Sequence, residues 1–104
     1  MHDLQGSLEA FEKSVANYEE VLRTDAQNTA LLRDIAQSCK NLGQIHTDLS
    51  QAAAGQIRQA HLEAAKQNYQ RALDILLQLK SQNAFAAVDQ KLFEDIEAAI
   101  RKYK

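Results

Sequence analysis

The side chains best suited to metal binding or catalysis in this sequence are His2, His46, His61, Cys39 and the carboxylates Asp34, Asp48 and Glu63. A zinc site needs three or four His, Cys or carboxylate ligands at short, characteristic spacings. His46 and His61 are fifteen residues apart with no cysteine or carboxylate at such spacing, and His2 is terminal. His46 falls on an apolar stripe, where a packed, hydrogen-bonded imidazole is the simpler reading. Cys39 lies on the same stripe without an activating partner, so it reads as a small core residue and not a nucleophile. Carboxylates spread over helical surfaces are normally just solvated, and no cleft is implied around these. The sequence holds no Gly-rich phosphate loop, no Ser/His/Asp arrangement and no cysteine pair. The expectation is a chain without catalytic residues, metal ligands or cofactor.

Composition narrows the class further. At 104 residues the chain is at most one domain. It has no proline and only three glycines, Gly6, Gly43 and Gly55, which suits long helices and leaves little for tight hairpins. An apolar fraction of 45% argues against disorder. No apolar run approaches the roughly 18 residues of a membrane helix, and no signal-peptide core opens the chain. The single cysteine excludes an internal disulfide and fits a reducing, cytoplasmic setting. A net charge of -2 argues against nucleic acid as a partner. The charge is uneven: residues 1–25 sum to -4 and residues 56–83 to +2. Solvated helix surface explains most such polarity, and contact between neighbouring repeats is the sharper reading.

The elements that must position these residues are all helical, with no strand signal. Leu8, Phe11, Val15, Tyr18 and Leu22 recur in steps of three and four, predicting a helix over 7–24 with Ser7 as its N-cap. Asn28 or Thr29 caps a second helix over 29–50, with the stripe Leu32, Ile35, Cys39, Leu42, His46 and Leu49. The stretch 50–55 either extends that helix to a Gly55 cap or forms a short turn. A third helix over 57–82 turns Ala65, Tyr69, Ala72, Leu73, Leu76 and Leu79 inward. The last, over 89–103, starts near Asp89 and carries Leu92, Ile96, Ala99 or Ile100, and Tyr103.

One pattern occurs twice. Ser7, Phe11 and Ser14 align with Ala65, Tyr69 and Ala72: a small residue, an aromatic four positions on, and another small residue three further. Between the copies stands Leu42-Gly43, with His46 three positions on. Small residues at helical spacing let two helices approach closely and the aromatic fills the notch. This pattern resembles the tetratricopeptide repeat, in which a helix with the Leu-Gly pair precedes one with the small-aromatic-small pattern. The resemblance implies antiparallel helix hairpins amounting to about one and a half repeats, closed by a C-terminal capping helix, with Leu42 and Gly43 packed on Tyr69 and Ala72. Asp25-Ala26-Gln27-Asn28, Arg33-Asp34-Ile35-Ala36 and Asn41-Leu42-Gly43 are further similar to arrays attached to bacterial eukaryotic-type serine/threonine protein kinases. Ala26 and His46 depart from the usual proline and tyrosine, and no kinase motif is present.

In such arrays the Leu-Gly helix lines a concave groove. The resemblance therefore assigns protein binding to Arg33, Gln37, Lys40, Gln44 and Thr47, the polar flank of the second helix. Lys40 and Gln44 are similar to a cation-plus-amide pair for a peptide's terminal carboxylate. The first helix lacks a preceding partner, so Phe11 and Tyr18 are expected to drive self-association through it, or to stay partly exposed. The expected function is a non-catalytic protein-interaction module whose partner is a protein or peptide. The alternatives are a self-contained four-helix sensor or small-ligand bundle, or an oligomerisation cap.

Overall fold

Asn28 is extended (φ -68°, ψ 103°) and its side chain accepts the Leu31 N–H at 3.0 Å, satisfying a donor the helix itself cannot. The helix it starts is the second of four in the computed structural model, which describes residues 4–102: α1 (Leu4–Leu22), α2 (Thr29–Gln51), α3 (Gly55–Ser81) and α4 (Ala87–Arg101). The fold is all-α. The boundaries differ from expectation at three starts, α3 beginning at Gly55 and not at 57. α1 already includes Leu4, so Ser7 lies inside the helix and is not its cap. α4 begins at Ala87, which puts Asp89 in its first turn. Tyr103 and His2 lie outside the described residues.

The connections are short. α2 stops at Gln51, and Ala52–Ala54 turn the chain into Gly55, whose φ of +59° is open to glycine without strain. Gly55 thus opens α3 and does not cap α2. At the far end of α3, Asn83 takes the left-handed conformation at φ 58°. Its N–H donates to the Lys80 carbonyl at 3.1 Å and the Ala84 N–H to the Leu79 carbonyl at 2.9 Å. That is the Schellman closure, with asparagine standing where glycine is usual.

α2 lies between α1 and α3, so it buries two flanks and not the one stripe read from its sequence. Toward α3 it places Leu32, Ile35, Ala36 and Cys39 in a core with Ala65, Tyr69, Ala72, Ile75, Leu76 and Leu79, to which α4 adds Leu92 and Ile96. Toward α1 a second, smaller cluster gathers Leu42 and Ile45 with Leu8 and Val15, Phe11 and Leu49 packing beside them. Leu42 thus belongs with α1, not with Tyr69 and Ala72. Ile75 is buried where Leu73 was expected, and Leu73 packs at the margin of the same core.

Gly43 sets the α2–α3 approach. A Cβ there would stand 2.7 Å from Cε1 and Cζ of Tyr69, inside any tolerable contact. Glycine within a helix costs about 1 kcal/mol relative to alanine, and close packing against the Tyr69 ring offsets it.

Candidate functional site

The five residues expected to line a groove do not act together. Arg33 is committed to α4. Its Nε donates to Asp89 Oδ1 at 2.7 Å, and its second terminal nitrogen donates to Asp89 Oδ2 at 2.8 Å and to the Ala84 carbonyl at 3.0 Å. Asp89 is 1% exposed and also accepts the Ala86 N–H at 2.8 Å, half of a capping box whose other half alanine cannot make. The Arg33 hydrogen bond, aided by the Ala86 N–H and opposed by burial, holds the Asp89 carboxyl below the usual carboxylate range. This is a fork-to-fork clasp that seats the start of α4 on α2.

Gln37 is exposed and donates to Asn41 at 3.3 Å, one turn along its own helix. Lys40 is half-buried. Gln44 is exposed and donates to Asp48 at 3.1 Å, and the Thr47 hydroxyl donates to the Gly43 carbonyl at 2.9 Å. Gln44 stands on a ridge between two clefts. One, of about 370 Å³, lies along the α1–α2 seam beside Leu4, Ser7, Phe11, Asn41, Ile45 and Asp48. The other, of about 520 Å³, opens between the end of α2, the start of α3 and the end of α4. Gln44, Thr47, Ser50 and Gln51 form its α2 wall, with Leu62, Tyr69 and Ala99 as apolar floor and Arg58 and Lys102 as its charges. Both charges are positive, and Lys40 lines neither cleft. Arg58 and Lys102 were not anticipated. Only the stacking of α4 against α3 shows that residues 44 positions apart share one wall.

On α1, Leu8 and Val15 are buried while Phe11, Tyr18 and Leu22 remain half-buried. The acidic first segment and the basic third meet within the chain: Glu19 pairs with Arg71 at 2.8 Å, both side chains 42% exposed. The Glu19 hydrogen bond raises the already high Arg71 pKa further.

His46, read as a packed residue, touches His61. Their Nδ1 atoms are 3.0 Å apart, with ring centroids at 5.2 Å and planes inclined by 36°. The sequence held a signal for this contact, because the two are nearly equidistant from the Ala52–Ala54 turn of an antiparallel hairpin. Burial lowers the His46 pKa most, the proximity of His61 lowers it further, and the Glu12 carboxylate partly opposes both. Cys39 is wholly buried; burial, the largest influence, raises its thiol pKa. Among the described residues no three His, Cys, Asp or Glu side chains converge into a metal cage, and no helix is long and apolar enough to cross a membrane. No protein-family model, curated protein or solved structure matches the chain.

Proposed function

We propose that this chain is a non-catalytic protein-interaction module, built as the end of a tetratricopeptide-like helical array, that receives an acidic peptide segment of a partner in the α2–α3–α4 cleft. One observation carries the reading: the cleft sets two cations, Arg58 and Lys102, beside the side-chain amides of Gln44 and Gln51 over an apolar floor, with no acid in its lining. Such a surface favours a ligand that brings negative charge to the rim and apolar side chains to the floor. The cation-and-amide idea from the sequence is kept, but its cations move from Lys40 to Arg58 and Lys102, with Gln44 supplying the amide. Self-association through α1 belongs to the same reading, on the half-buried rings of Phe11 and Tyr18.

A peptide library panned on the purified chain and rescored by calorimetry tests this. Selected peptides should be acidic, and Arg58→Glu with Lys102→Glu should weaken their binding at least tenfold without lowering thermal stability. Peptides of neutral or basic character, or binding indifferent to both substitutions, would remove the cleft from the argument.

A further inference from the structure

The His46–His61 contact is a convergence of titratable side chains that the binding reading leaves unused. Its geometry decides what it is. The ring centroids are farther apart than the facing nitrogens by one imidazole radius at each end, so the rings meet end to end. In that arrangement the in-plane lone pair of one Nδ1 points at the other nitrogen, which is the geometry of a single N–H···N hydrogen bond. Two imidazoles chelating one metal ion would instead converge on a point to the side. The pair therefore holds one proton between its two Nδ1 atoms, and one of them must remain an acceptor.

His46 projects from α2 five residues before the helix ends, and His61 from α3 six residues after it starts, so the pair lies at the turn end of the α2–α3 hairpin. His46 is 9% exposed and His61 half-buried. The charged groups felt at His46, among the described residues, are His61 on α3 and Glu12 on α1. Glu12 is exposed and its attraction is screened by solvent, so it cannot neutralise two adjacent imidazolium rings.

We propose that His46 and His61 form a proton-sharing pair through which mild acid loosens the turn end of the α2–α3 hairpin. With one ring neutral, an acceptor is present and the helices stay docked. Once both rings are protonated, two N–H groups and two positive charges face each other at the former hydrogen-bond distance, and the rings must separate. The sign follows from linkage. His46 takes its proton less readily folded than unfolded, so its stabilisation is complete above the ordinary histidine value and is lost as the pH falls through the lower folded value. This inference is independent of what the cleft binds.

The test is thermal and denaturant unfolding of the full chain between pH 7.5 and 5, for the wild type, His61→Gln and His46→Gln, together with ring-nitrogen NMR of the wild type. For the wild type the unfolding constant should rise up to about tenfold per pH unit below the ordinary histidine pKa of about 6.5. His46→Gln should flatten that slope, and His61→Gln should narrow the pH range over which it is seen, since burial alone still lowers the His46 pKa. In the NMR titration the Nδ1 resonances should report one proton shared between the two rings, and the His46 ring should take up a proton only below the ordinary histidine value. Equal slopes in wild type and both variants would overturn the proposal. So would two independent, ordinary histidine titrations, a result that stands even if a variant fails to fold. A zinc-dependent rise in melting temperature that is lost in His61→Gln would replace the proton with a metal and overturn it equally.

Discussion

The two seams of α2 are built differently. Against α3, α2 packs through a broad core containing side chains with no exposure at all, among them Ile35, Ala36, Cys39, Ala72, Leu76 and Leu79. Against α1 it packs through Leu8, Val15, Leu42 and Ile45, none of them fully buried, while Tyr18 and Leu22 of α1 pack at the margin of the main core and Glu19 reaches Arg71 of α3. Hydrophobic stabilisation scales with the apolar area removed from water, at roughly 25 cal/mol per Å². The α2–α3–α4 unit therefore holds most of the stability, and α1 is attached to it. The lesson is that a long, regular helix can be held to its neighbour through a thinner seam than the one that neighbour makes on its other side.

The same chemical change made on each seam is the hardest test of this comparison. Leu76→Ala should lower stability by about 2–5 kcal/mol, since the wholly buried site cannot collapse easily. Leu8→Ala, in a cluster that opens to solvent, should fall at or below the lower end of that range. Chemical denaturation measures both, and a Leu8→Ala loss equal to that of Leu76→Ala would erase the distinction.

Gly43→Ala sharpens it, because the added methyl would run into the Tyr69 ring. Overpacking should cost about 1–3 kcal/mol, partly masked by the better helix propensity of alanine. Combined with Tyr69→Leu, which vacates the space, the two losses should sum to less than their separate values. Strict additivity would mean that the close approach exerts no control over the seam.

The smallest effects separate the two ion pairs. Asp89→Asn takes the charge from a buried carboxylate, leaving Arg33 poorly matched, and should cost about 1–2 kcal/mol after allowance for the partial exposure of Arg33. Amide exchange in α4 should quicken accordingly. Glu19→Gln, at a pair exposed on both sides, should change stability by less than about 1 kcal/mol. The Asp89 contribution is present above the ordinary carboxylate range and is lost only as pH falls through its lowered folded value, so it leaves the mildly acidic window to the histidines.

Much of this architecture was legible in the sequence. Apolar spacing located all four helices, and Gly43 with Tyr69 announced the one close crossing. Periodicity could not show that α2 is covered on two flanks, because a helix between two neighbours buries residues such as Leu31 and Ile45 outside any single stripe. Nor could it find Asp89, which reads as an ordinary first-turn acid until the α3–α4 turn carries it under Arg33. The binding surface was the least legible part. Arg33 looked like part of a polar flank, yet its direction is set by a helix more than fifty residues away, and Arg58 and Lys102 share a wall through tertiary stacking alone.

Cys39 gives the molecule a clock. It is the chain's only thiol, it has no exposure, and it lies on the inner side of α2 facing α3. A thiol reagent can reach it only during excursions that open this core, so the labelling rate counts those openings. Burial also raises its pKa, so the closed state holds little of the reactive thiolate. A single covalent tag thus times the opening of the core around α2 in the unmodified sequence.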